Sequence, residues 1–306
     1  MERLESRRLL AATVATFTGT AGRDSVTLDQ TGHALRVTIN HTVHTLDDRT
    51  TRGVRLLLGD GDDVVLNNTF ATIRTPIYVD AGRGADSIMG TVGNDTLLGG
   101  SGDDVLVDLA GNDLVRGGDG NDDVPLGVGR DTVYGDNGND SIVTSNPNGP
   151  AERDTIYGGA GNDTIWTART VATVFGDAGA DKITVFLAGS TASGGDGNDT
   201  LRTLDARATL LGGAGNDRID GGGGNDSLVG GLGRDTINGG AGSDTLWGGE
   251  DDDILTGGSG RDEIHGSSGN DLIYATDKTA DVIDGGDGMD VAHADKTLDI
   301  LKAVEK

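Results

Sequence analysis

Gly212-Gly213-Ala214-Gly215-Asn216-Asp217-Arg218-Ile219-Asp220 runs directly into Gly221-Gly222-Gly223-Gly224-Asn225-Asp226-Ser227-Leu228-Val229 and then Gly230-Gly231-Leu232-Gly233-Arg234-Asp235-Thr236-Ile237-Asn238. The shared unit is nine residues long and reads G-G-x-G-x-D-x-U-x, with U apolar. It recurs, with decay, from about position 81 to the C-terminal region, and a fixed period of this kind marks a solenoid. Glycines at the first, second and fourth places permit positive φ and leave backbone carbonyls bare, so the first six residues form a tight turn whose oxygens can converge on an ion. The last three form a short strand with its central side chain turned inward. That rule predicts an apolar ladder of Leu97, Leu106, Val115, Val133, Ile142, Ile165, Ile183, Leu201, Ile219, Leu228, Ile237, Leu246, Ile264 and Ile273.

Two units make one coil with a turn on either side, and stacked coils pair their strands in parallel about 4.8 Å apart. The expected fold is all-β: a right-handed parallel β-roll, a form of β-solenoid, with two nine-residue repeats per coil and a small antiparallel β cap at its N-terminus. Decay of the motif supports the two-sided coil. Units at Gly158, Gly176, Gly194 and Gly212 keep their Asp, whereas those at Thr167, Val185 and Thr203 lose both the glycines and the sixth-place Asp. Carried through the insertion Thr144 to Pro150, the frame places Asp86, Asp104, Asp122, Asp140, Asp163, Asp181, Asp199, Asp217, Asp235, Asp253, Asp271 and Asp290 on one edge. Asp226, Asp244 and Asp262 form a second, shorter edge. Asp95, Asp113 and Asp131 also lie there, but their units lack the leading glycines and they are the weaker candidates. Asp253 is expected to be a weak link, because Asp251 replaces the fourth-place glycine, and Asp205 falls outside the frame.

Composition points to a cation as the partner. The 306 residues contain 50 acidic and 24 basic side chains, for a net charge of −26, which repels nucleic acid and anionic membranes. Of the acids 44 are Asp and six Glu, a bias toward short carboxylates set into turns. Only ten aromatic residues accompany 54 glycines, so the core must be thin and repetitive. Cysteine is absent, which excludes disulfides and thiolate metal sites. No apolar run approaches the roughly 18 residues of a membrane-spanning helix. Calcium takes roughly six to eight oxygen ligands in flexible geometry, while magnesium demands a stricter octahedron. Without an ion, ladder carboxylates roughly 5 Å apart would repel by about 1 kcal/mol per pair in water and more at lower dielectric. The expected cofactor is therefore calcium, several structural ions, held by the fifteen aspartates of the two edges, and the ion-free roll should be largely unfolded. A disordered Asp/Gly linker would not keep an apolar residue at every ninth place.

The repeat resembles that of the RTX, or haemolysin-type calcium-binding, family over residues 58 to 293. That resemblance implies calcium between consecutive turns, held by the sixth-place Asp and main-chain carbonyls, in proteins exported unfolded that fold in external calcium. It implies a secreted or cell-surface bacterial protein. Leu4-Glu5-Ser6-Arg7-Arg8-Leu9-Leu10 is similar to the Leu-Glu-Pro-Arg-x-Leu-Leu motif of exported planctomycete-type repeat proteins, with Ser6 in place of the proline.

The chain then divides into an export-type terminus (1–17), an N-terminal β cap (18–57), the calcium-binding roll (58–293) and a C-terminal cap (294–306). Gly19 to Val26 is a decayed first unit, and strands are expected at Ala34 to Asn40 and His41 to Leu46. Leu298, Ile300, Leu301 and Val304 are candidates for a short apolar lid. No H-E-x-x-H, G-x-S-x-G or Gly-Lys phosphate loop is present, and no enzyme is expected. The spacing of His41 and His44 puts them on opposite strand faces, which opposes a zinc site. The expected function is a calcium-binding extracellular structural repeat protein. The alternatives are an adhesin or matrix module presenting its faces to glycans or other chains, or a detached repeat domain of an RTX toxin or secreted enzyme. Third-place residues Ala160, Ala178, Asp196, Ala214, Leu232, Ala241 and Ser259 form no Thr file, which opposes ice binding.

Overall fold

A computed structural model describes residues 13–69, 73–145, 153–168, 170–204, 207–295 and 298–304. The chain winds into two facing sheets, of fifteen and sixteen strands, each coil giving one parallel strand to each and an antiparallel hairpin ending the larger. Registers step by two repeats: Thr173 pairs with Thr191 and Thr191 with Thr209 on one sheet, Lys182 with Thr200 and Thr200 with Arg218 on the other. The side-chain period of two explains why this register is fixed. A slip of one residue would expose every inward side chain.

The core is one residue deep from each sheet. All fourteen side chains of the expected ladder are buried, from Leu97 to Ile273. The same column continues through Leu56, Val79, Ile156, Val174, Leu210 and Ile283 on one sheet and Val65, Ile88, Val124 and Leu255 on the other. Burying one such side chain stabilises by roughly 1.5–3 kcal/mol. Where the second edge has lost its aspartates, Val174 and Leu210 remain fully buried, so packing still joins those coils.

The parallel stack begins ahead of the recognisable repeat. β1 (Thr13–Thr18) and β2 (Ser25–Thr31) pair in parallel with β5 (Thr51–Asp60) and β6 (Val64–Asn67), forming the first coil. Between them, β3 (Ala34–Ile39) and β4 (Thr42–Asp47) form an antiparallel hairpin that extends the sheet from β2. Leu35 and Val37 are buried in the core, and the Phe17 ring meets the His44 ring at 4.8 Å, so the hairpin reaches across the end of the roll. The hairpin corrects one expectation. His41 is not in a strand: Asn40 (φ 46°) and His41 (φ 69°) are the turn itself.

At the other end the segment that was a candidate lid is a strand. Ile300–Lys302 adds one more parallel strand, and Leu301 stacks in register on Ile283. Among the described residues no further strand pairs with this one, and Leu301 is 45% exposed and Ile300 54%. The Leu4 to Leu10 motif and Asp205 lie outside the described residues.

Candidate metal centre

The turn Gly194 to Asp199 shows how the sequence builds the edge. Gly195 (φ 117°) and Gly197 (φ 137°) lie in the left-handed region, and each passes close to the carbonyl of its counterpart one coil earlier. Gly194 is required for a different reason. A Cβ there would collide with Oδ2 of Asp199 and with the carbonyl of Gly212 in the next coil. The missing side chain leaves a notch walled by a carboxylate oxygen and a main-chain oxygen from two coils. Gly99, Gly117, Gly135, Gly158, Gly176, Gly212, Gly230, Gly248 and Gly266 repeat this arrangement, each with the aspartate five residues later.

The aspartates form a continuous hydrogen-bonded file. The amide of Asp181 donates to Oδ1 of Asp199 at 2.8 Å, and that of Asp199 donates to Oδ1 of Asp217 at 2.8 Å. All twelve first-edge residues named from the sequence, Asp86 to Asp290, stand in this file and are buried. Asp253 is no exception, because Asp251 itself adopts φ 75° and preserves the turn. The file also reaches back through Asp63 to Asp24 in the decayed first unit, neither of which was among the expected ligands.

The second edge is longer than expected. Asp95, Asp113 and Asp131 make the same contacts as Asp226, Asp244 and Asp262: the Asp95 unit does keep a first-place glycine, Gly90, and the Asp108 and Leu126 that stand there in the other two units do not remove them from the file. Asp154, Asp281 and Asp299 extend the two segments. Between them, Ala172, Ser190 and Ala208 occupy the aspartate place, and this is the gap that the decayed units predicted.

A second file runs in the opposite sense along the rim. The fifth-place residue accepts from the coil that follows: Asn139 N–H to Asn121 Oδ1 (2.8 Å), Asn162 N–H to Asn139 Oδ1 (2.7 Å), Asn216 N–H to Asn198 Oδ1 (2.7 Å). The frequent Asn before Asp was the available signal for it.

Each first-edge aspartate from Asp63 to Asp290 uses Oδ1 in the file and leaves a buried Oδ2 with no hydrogen-bond partner in the protein. Buried polar atoms are normally satisfied, and a regular column of orphan carboxylate oxygens is what a missing cation leaves. Ion pairs among the described residues are His33–Asp48, Arg49–Asp47, Arg116–Asp136 and His265–Glu263, none of them made by an aspartate of the file. Burial, partly offset by the donated amide, pushes Asp104, Asp163, Asp235, Asp253 and Asp262 up to about 7. Asp113 is pushed to about 8 for the same reason. For a carboxylate ordinarily near 3.8, a rise to about 7 costs ~4 kcal/mol of stability above both values. A few such groups exceed the ~5–15 kcal/mol that a domain has in reserve. The donor set is all oxygen, carboxylate and carbonyl, which suits a hard cation such as calcium.

The chain matches the RTX calcium-binding nonapeptide repeat over residues 80–107, 98–132, 126–146, 151–169, 193–228, 205–237, 229–264, 247–277 and 256–292. These stretches cover more than half of the sequence, and the chain belongs to that family. No curated protein matches it. Among solved structures, a hyperactive, Ca2+-dependent, β-helical antifreeze protein from an Antarctic bacterium is 20% identical, with a TM-score of 0.36 over 89% of this chain and 86% of that one.

Proposed function

We propose that this chain is an extracellular, structural calcium-binding protein whose roll folds when calcium enters the turns. The sixth-place aspartates of both edges act as ligands together with turn carbonyls, and the ions serve the fold and no reaction. One observation carries the reading: the unbroken first-edge file, in which every aspartate from Asp63 to Asp290 keeps one buried oxygen without a partner. Such a file is stable only when positive charge is interleaved with it, as ions or as protons. A secreted or cell-surface location supplies calcium at about millimolar levels, which suits sites assembled only in the folded chain.

Far-UV circular dichroism tests the proposal. Excess chelator at pH 8 should leave mostly coil, and about millimolar calcium should restore β structure. An identical β spectrum in chelator and in calcium at that pH would refute it.

A further inference from the structure

Asp108 stands in the first place of its nonapeptide, where the preceding coil has Gly90 and the following coil Leu126. It is fully buried, and the next coil closes over it with the buried Leu126. Its Oδ1 accepts the Gly127 amide at 2.5 Å, while its Oδ2 has no partner in the protein. Ligand oxygens of Asp108, Asp113 and Asp131 all lie within 4.8 Å of one another. Asp113 also keeps a buried Oδ2 without a partner. No cationic side chain pairs with Asp108 or Asp113 among the described residues. Burial, then the charges of Asp131 and Asp113, drives the Asp108 carboxyl well above its ordinary range. Among the described residues the other turns bring together at most the aspartates of two coils, but this one adds a third carboxylate from the strand end.

We propose that Asp108, Asp113 and Asp131 form a three-carboxylate site for a hard cation, distinct from the two-carboxylate turns in preferring the most highly charged ion available. The proposal rests on the calcium reading of the two edges and adds to it one turn of different charge. Three carboxylates neutralise a trivalent ion and leave calcium one negative charge in excess, whereas two carboxylates only balance calcium. Ligand charge count sets affinity in oxygen-lined sites, so this site should discriminate by charge where the others do not. The enclosure by Leu126 keeps water from screening the difference.

The test uses the full chain held folded in saturating calcium, with terbium added below one equivalent. Bound terbium is read by its luminescence lifetime in H2O and D2O. The expected result is one dry, early equivalent, bound at least ~10-fold more tightly than later ones. Asp108→Asn and Asp108→Gly should abolish that step. Asp108→Gly installs the glycine that the preceding coil has at Gly90 and should keep the calcium-saturated spectrum. Uniform uptake by the unaltered chain, or an early step that survives both substitutions, overturns the three-carboxylate site and leaves the two edges standing. A chain that neither folds with calcium nor takes up terbium overturns both.

Discussion

Replacing Asp199 separates charge from hydrogen bonding within one turn. Its Oδ1 accepts the Asp181 amide, its own amide reaches Asp217, and its Oδ2 faces the notch at Gly194. Asp199→Asn keeps an acceptor for Asp181 and removes only the charge. If each of the two adjoining gaps loses about tenfold in calcium affinity, stability in excess calcium falls by about 3 kcal/mol. Asp199→Ala also strands the buried Asp181 amide, at about 1–3 kcal/mol more. Asp196→Asn, exposed and three residues away, should stay within ~0.5 kcal/mol. Urea midpoints in millimolar calcium would give all three values. Without calcium near pH 5 the order should reverse, with Asp199→Asn more folded than the unaltered chain because a buried charge is gone. A calcium-saturated Asp199→Asn as stable as the unaltered chain would refute the ligand role, since the charge would then have had no partner to lose.

Protons should substitute for calcium. Burial raises Asp63, Asp104 and Asp113 in the folded state to between about 6 and 8, so their contribution is complete below about 3.8 and lost as pH rises through that range. Ion-free chain should therefore gain β structure between pH 8 and 5 by circular dichroism, and a flat titration would contradict the buried file. Gly194→Ala should lower the melting temperature in calcium, at about 1–3 kcal/mol, because its Cβ meets Asp199 Oδ2 and Gly212 O. Gly22→Ala, with nothing within 4 Å, should not, and equal shifts for the pair would dismiss the notch.

How much of this could be read from the sequence depended on glycine. Where both leading glycines stood, as at Gly194 and Gly195, the repeat was plain and the aspartate that follows was found. Asp24 was passed over although Gly19 makes the same notch, because Thr20 breaks the glycine pair, and Asp63, Asp281 and Asp299 because their turns reach the same shape by other means. Leu58 stands at the first place before Asp63, and Lys278 takes φ 78° before Asp281. Asp136 and Asp177 likewise hold φ 76° and 72°, a conformation that aspartate tolerates better than most residues. The apolar ladder was legible throughout, because inward position alone decides it. For the last apolar residues the sequence left helix and strand open, since a few such residues do not reveal whether they can pair with the coil before them.

The constant register makes the roll behave as a one-dimensional crystal with a unit cell of one coil. Asp140 to Asp163 spans 23 residues where its neighbours span 18, and Ser141 still pairs with Thr164 without a phase slip. Asp63 to Asp86 absorbs the same surplus, and Asp262 to Asp281 absorbs a single residue. The lattice thus tolerates interstitial sequence between cells. Coil number becomes a free parameter of the chain, and these two long cells are the natural grafting points for foreign peptides.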